Sequence, residues 1–193
     1  VDGPTHLDES TKRRIPDLES QIRCLLDVYP YINGANIICL GDHDLKYKTS
    51  DGYNVNKALK NDRVDLKVYS SGSGIIKFNN QEVLICHDAN DPRIKQRITD
   101  NQILLSGHSH QYINRTKYNN NIPSIKIVTP SISNLPMHNN IAPGFLKFDL
   151  IFDRGLLINV GVTNYIFIEN KTYIGNYISY DIKSNSYDNM DFS

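Results

Sequence analysis

The sequence predicts a layered α/β fold, two facing mixed β-sheets flanked by helices, on three observations. Ile37-Ile38-Cys39-Leu40, Val83-Leu84-Ile85-Cys86 and Ile103-Leu104-Leu105 are apolar at every position, the pattern of short strands covered on both faces. Leu18, Ile22, Leu25 and Leu26 recur at helical spacing between Pro16 and Pro30, so an amphipathic helix precedes the first of these strands. Beyond residue 122 the chain becomes rich in β-branched and aromatic residues at strand-like spacing, enough for a second sheet.

In chain order, the helix after Pro16 packs its Leu and Ile stripe onto a sheet, and the Ile37 run forms the first strand. A short helix is expected around Val55 to Lys60 and a strand at Gly74 to Phe78, with an Asn79-Asn80 turn leading into the Val83 strand. The Ile103 run follows. The later strands are placed at Ile125 to Val128, Phe145 to Phe152, Leu156 to Val162, Tyr165 to Ile168 and Tyr173 to Ile182, with a hairpin turn at Asn170-Lys171. Residues 1–182 are read as one domain; 183–193 are polar and read as a frayed, disordered tail. No internal repeat is visible, and Asn119-Asn120-Asn121 is a loop by composition.

Bulk numbers exclude several classes. At 193 residues with 39% hydrophobic and 22% charged, the chain holds enough apolar matter for one core and too much for disorder. Lys plus Arg equals Asp plus Glu at 21 each, so net charge recruits no polyanion. Cys24, Cys39 and Cys86 lack short paired spacing and read as buried thiols of a reducing, cytoplasmic compartment. For that reason the sequons at Asn114-Arg115-Thr116 and Asn170-Lys171-Thr172 are not read as glycosylated. No stretch approaches the ~18 apolar residues of a membrane span, and no membrane partner is expected. Residue 1 is Val, which leaves open a segment ahead of it.

All three apolar runs break abruptly into polar loops, Gly41-Asp42-His43-Asp44, His87-Asp88 and Ser106-Gly107-His108-Ser109-His110. Four of the six histidines therefore sit just after strands, beside Gly or Asp. Ligands of sheets of this kind gather at loops after strand ends. A site mixing imidazole with carboxylate suits Zn, Mn or Fe better than Ca or Mg. On an extended segment His108 and His110 would point to one side, and Gly107 would let backbone and ligand approach closely.

These residues, in this order, resemble the calcineurin-like metallophosphoesterases, whose later motifs are G-N-H-D/E, a lone His after a strand, and G-H-x-H. Val1-Asp2-Gly3 is similar to the tail of that family's earlier G-D-x-V-D-G motif, and residues 52–66 are similar to bacterial and phage members. The resemblance covers roughly residues 1–150 and implies a four-layer αββα sandwich, N-terminally incomplete in this chain. It implies hydrolysis of a phosphomonoester or phosphodiester at a binuclear centre of two divalent ions (Mn, Fe or Zn), with a metal-bound hydroxide as nucleophile. Asp42, His87 and His108 match ligands of one metal and His110 a ligand of the other. His43 matches the histidine that stabilises the transition state or protonates the leaving alkoxide, and Asp44 completes its motif. Asp2 matches a residue that orients the catalytic histidine. The substrate implied is a phosphate ester, with nucleotides and nucleic acid among the classes left open.

Two departures stand against the pattern. The D-x-H motif and the first Asp of G-D-x-x-D have no counterpart in the chain, so an upstream segment or a partner is expected to complete the site. Asp42 replaces the family's Asn, adding a negative charge beside an anionic substrate; metal binding is expected to survive and turnover to change. The alternative function is a catalytically weakened phosphoesterase-like binding or scaffold module; a single-metal structural site is weaker still. Several residues carry blander readings. Asp88 is either a second support of the site or a turn residue, and Arg93, Lys95 and Arg97 either hold a substrate phosphate or, as the favoured reading, form a solvated face. Tyr112 and Tyr118 are packing residues, and His6 and His138 loop residues.

Overall fold

The two-sided apolar runs divide their side chains between two cores. In β4 (Gln81–Cys86) Val83 and Ile85 face one core while Leu84 and Cys86 face another; in β5 (Ile103–Ser106) Ile103 and Leu105 part from Leu104 in the same way. The computed structural model describes residues 18–31, 36–46, 54–79, 81–97, 103–119, 122–131, 143–169 and 171–182. The chain packs as two compact units, Val1–Gly74 and Ile75–Ser193.

In the first unit, α1 (Leu18–Val28), β1 (Asn36–Cys39), α2 (Asp42–Lys46), α3 (Val55–Asp62) and β2 (Leu66–Tyr69) follow one another. β1 and β2 pair in parallel, Asn36 opposite Leu66 and Cys39 opposite Tyr69, and Leu40 N–H extends the ladder to Tyr69 O at 3.3 Å. Ile22, Val55, Ala58 and Leu59 from the helices close over Leu40, Leu66 and Val68 to make the core. Asn54 caps α3, its side-chain oxygen accepting from Lys57 N–H at 3.0 Å.

Arg63 and Asp65 form the least exposed salt bridge among the described residues. The guanidinium donates from Nε and Nη2 to the two carboxylate oxygens, each at 2.7 Å, and also to the carbonyls of Tyr29 at 3.0 Å and Pro30 at 3.2 Å. Those carbonyls close the end of α1, where helix acceptors lack intrahelical donors. Asn36 Nδ2 donates to Asp65 at 2.8 Å, so one network links α1, β1 and the turn before β2.

In the second unit, β3 (Ser73–Phe78), β4, β5, β7 (Ile122–Val128) and β6 (Ile113–Asn119) form a five-stranded sheet in that order. β4, β5 and β7 are parallel and β6 returns antiparallel to β7. The other sheet, β10-β9-β8, is an antiparallel meander of β8 (Gly144–Asp153), β9 (Leu156–Ile168) and β10 (Lys171–Asp181). The sheets pack face to face through Val83, Ile103, Ile125 and Ile127 on one and Leu157, Val160, Val162 and Tyr180 on the other. α4 (Pro92–Lys95) covers the opposite face of the five-stranded sheet, with Ile94 on Leu84, Cys86 and Leu104. The α/β class with facing sheets is therefore as expected.

Several local expectations are corrected. Leu156 to Val162 and Tyr165 to Ile168 are one continuous strand, β9, because Thr163 and Asn164 between them are buried at its centre, flanked by strands on both sides. β2 and β6 were not anticipated. β2 is four residues long, and β6, Ile-Asn-Arg-Thr-Lys-Tyr-Asn, is an edge strand too polar for the hydrophobic signal. Gly41-Asp42-His43-Asp44 is not a loop but the opening of α2. Cys86 is buried, whereas Cys24 and Cys39 are half-buried; all three are free thiols. No described helix is long and apolar enough to cross a membrane. The tail at 183–193 lies outside the described residues.

Candidate functional site

Three parallel strands that share a register must end at one level, and the loops leaving them are tied there by two further backbone bonds. Gly107 N–H donates to His87 O at 3.0 Å and Thr129 N–H to Ser106 O at 2.7 Å. This holds the ends of β4, β5 and β7 side by side, so His87 and the Gly107-His108-Ser109-His110 segment emerge together. His108 Nδ1 stands 3.0 Å from His87 Nε2, the rings edge to face with centroids 4.9 Å apart.

At that separation either one nitrogen donates a proton to the other, or both lone pairs aim at one point; which tautomer holds is a matter of assignment. The donor set fits a metal. Two imidazole nitrogens on one tetrahedral ion, each at ~2.0–2.1 Å, stand about 3.3 Å apart. His87 is half-buried and His108 exposed, so little of their surroundings would have to move to admit an ion.

The His-x-His segment is not extended, contrary to the expectation from period-two spacing. It is a turn, with Ser109 N–H closing onto Gly107 O at 2.9 Å and left-handed backbone at His108 (φ 68°) and His110 (φ 58°). Non-glycine residues adopt that region at a cost, which makes such positions worth attention. Gly107 itself is not demanded by the chain: a Cβ there would meet His87 O at 3.7 Å and Thr129 Oγ1 at 3.9 Å, ordinary contacts.

Asp88 behaves as a turn residue. Its Oδ1 accepts from Asn90 N–H at 2.8 Å, and Asp91 N–H donates to its carbonyl at 3.3 Å. Asp42, His43 and Asp44 lie in the first unit, within α2. Asp42 opens that helix, and Asp44 Oδ2 accepts from Gly41 N–H at 2.8 Å while Leu45 N–H donates to Gly41 O at 3.0 Å. This is half of a capping box, Gly41 being the cap. Asp44→Ala is therefore expected to destabilise the protein by about 0.5–2 kcal/mol in urea unfolding, while Asp44→Asn, which keeps an acceptor, costs less. Equal losses in the two variants would remove the capping role.

Of the other residues singled out, Tyr112 packs on the core between the sheets, its hydroxyl accepting from Asn114 Nδ2 at 3.4 Å. Arg93 pairs with Asp91 beside it, which holds that carboxyl below its usual range through the guanidinium hydrogen bond first. Asp2, His6 and His138 lie outside the described residues, as do the side chains of His43 and Tyr118.

Sequence reasoning passed over two cations. Arg115 on β6 and Lys126 on β7 are direct cross-strand partners, and both line a pocket of about 120 Å³ that His108 also lines. Lys126 was hidden inside the apolar run Ile125 to Val128, and Arg115 lay in a strand that was not foreseen.

No protein-family model matches the chain, and neither does any curated protein. Among solved structures it is similar to a single-mutant Vps29 from Entamoeba histolytica, at 14% identity over 93% of this chain and 97% of that one, with a TM-score of 0.45. It is similar to Vacuolar Protein Sorting 29 from Cryptosporidium parvum, at 14% identity over 86% and 90% of the two chains, with a TM-score of 0.47. It is also similar to wild-type Vps29 from Entamoeba histolytica complexed with Zn²⁺, at 16% identity over 64% and 74%, with a TM-score of 0.42.

Proposed function

We propose that the chain is a metal-dependent phosphoesterase domain, hydrolysing a phosphate ester at a centre of two divalent ions, Mn, Fe or Zn. The observation that supports it is the pair of imidazole nitrogens of His87 and His108, 3.0 Å apart at the tied ends of two parallel strands. His87 and His108 would hold one ion; on motif resemblance Asp42 joins them and His110 is a ligand of the other ion. When bound, such ions polarise a phosphoryl oxygen and lower the pKa of water. The chain's own part is to position: β4 and β5 fix the two rings, and His43 is assigned the proton for the leaving alkoxide. The likeness to bacterial and phage members, carried by residues 52–66, and a cytoplasmic setting, carried by the free thiols, belong to the same proposal.

Two observations favour a weakened or scaffold form of the same domain. Asp42 puts a carboxylate where the family has an amide, and one oxygen of the Asp44 carboxylate is engaged in capping Gly41. One experiment separates the readings. Chelator-treated protein is titrated with Mn²⁺ and Zn²⁺ by calorimetry, and hydrolysis of an aryl phosphodiester is followed with and without metal. The enzyme reading expects metal-dependent turnover, with His108→Ala and His87→Ala each weakening metal affinity at least ~10-fold and lowering the rate ~100-fold or more. Metal binding without turnover supports the scaffold; binding that ignores both substitutions sinks the site.

A further inference from the structure

The five-stranded sheet is covered unevenly on its helix side. α4 is four residues long and buries Ile94 over Leu84, Cys86 and Leu104. Leu104 pairs with Lys126 and Lys126 with Arg115, so the same face continues across β7 and β6 as two cations in place of apolar residues. The pocket of about 120 Å³ opens there, with Arg115, Lys126 and Ser106 on the strand side and His108, Ser109 and Asn90 on the loop side.

Like charges directly opposite on an antiparallel ladder repel, and a sheet usually places a carboxylate or an apolar residue at one of the two positions. Here neither cation has an ion pair with a described carboxylate. Asp88, the one acidic group among the described residues that line the pocket, has Oδ1 engaged by Asn90 N–H. Two cations against one carboxylate leave a positive pocket, half-closed and bordered by the apolar side chains of Ile113 and Val128, where a charge is screened less than on open surface. A guanidinium fork, an ammonium and serine hydroxyls together are donors for a tetrahedral oxyanion.

We infer that this pocket is a phosphate-binding subsite, taking a phosphate group of the ligand beyond the one held at the His87–His108 centre. The assignment of that phosphate to a substrate rests on the proposed phosphoesterase activity; the anion site does not. A phosphate bridging Arg115 and Lys126 would remove their repulsion and join β6, the edge strand, to the His108 turn.

The test uses metal-free, isotopically labelled protein titrated with inorganic phosphate at fixed ionic strength balanced with chloride. Saturable amide shifts are expected at Gly107, Ser109 and Asn90. Arg115→Gln with Lys126→Gln should weaken apparent affinity at least ~10-fold, Lys126→Gln alone by less, and Arg115→Lys least. Both side chains reach solvent, and a thermal midpoint no lower than the parent's establishes that the variants fold. Absent shifts, or shifts unchanged in the double variant, overturn the subsite; acetate binding as tightly as phosphate overturns the phosphate assignment. If phosphate binding is lost in the double variant while no aryl phosphodiester is hydrolysed by the metal-loaded parent, the subsite stands and the enzyme reading falls. The reverse result, metal-dependent turnover with phosphate binding indifferent to both cations, leaves the enzyme and removes the subsite.

Discussion

Ile127→Ala is expected to lower stability by about 2–5 kcal/mol, read as a shift in the urea midpoint at unchanged slope. Ile127 is 0% exposed, stands on β7 between β5 and β6, and faces the layer formed by Val160 and Val162 of β9. Removing its outer carbons leaves a void that paired strands on either side cannot close, so the loss combines transfer and cavity terms. Ile151, on β8 and 50% exposed, is the control; Ile151→Ala should change stability by less than ~0.5 kcal/mol. Similar effects for the two substitutions would mean that the sheets do not share one core.

Arg63→Ala is the second large effect, with an expected fall in thermal midpoint on the order of 10 °C. The side chains of Arg63 and Asp65 are 11% and 8% exposed, so truncating one partner leaves the other's charge with little water to replace it. The carbonyls at the end of α1 lose their donors at the same time. The Arg63 hydrogen bonds, and then the Asn36 amide, hold the Asp65 carboxyl down at about 2 against the opposing effect of burial. Because that folded value lies below the ~3.9 of an unfolded aspartate, the network's contribution is full above pH ~4 and is lost as pH falls toward 2. Acid unfolding of the parent and of Asp65→Asn should therefore differ in slope between pH ~4 and ~2 and run parallel above it. Parallel curves throughout would show that Asp65 keeps an ordinary affinity for protons.

The elements legible in the sequence were those whose signal is strong over a few residues. β4 and β5 are apolar on both faces because both faces are covered, and α1 shows its stripe because one side packs against β1 and β2. β6 escaped because an edge strand with a wet face reads as loop, and with it went Arg115. β9 was split because its buried Thr163 and Asn164 look like a break until strands are placed on both sides. The order of histidines after strands was visible, as was the candidate pair His87 and His108. The turn at His108 was not, since spacing alone cannot distinguish an extended segment from a left-handed one. The capping contact of Asp44 was equally hidden, although an acidic residue three positions after a glycine is a pattern that helix starts favour.

The left-handed backbone at His108 and His110 has an evolutionary corollary. Left-handed backbone costs a non-glycine residue roughly 1–2 kcal/mol, glycine escapes that cost, and histidine, with asparagine and aspartate, is among the side chains that adopt it more readily than most. The turn's conformation therefore tolerates imidazole at these positions without demanding it. A lineage that exchanged the two histidines for glycine or asparagine would keep its sheets, its packed cores and its ladder of tied loops.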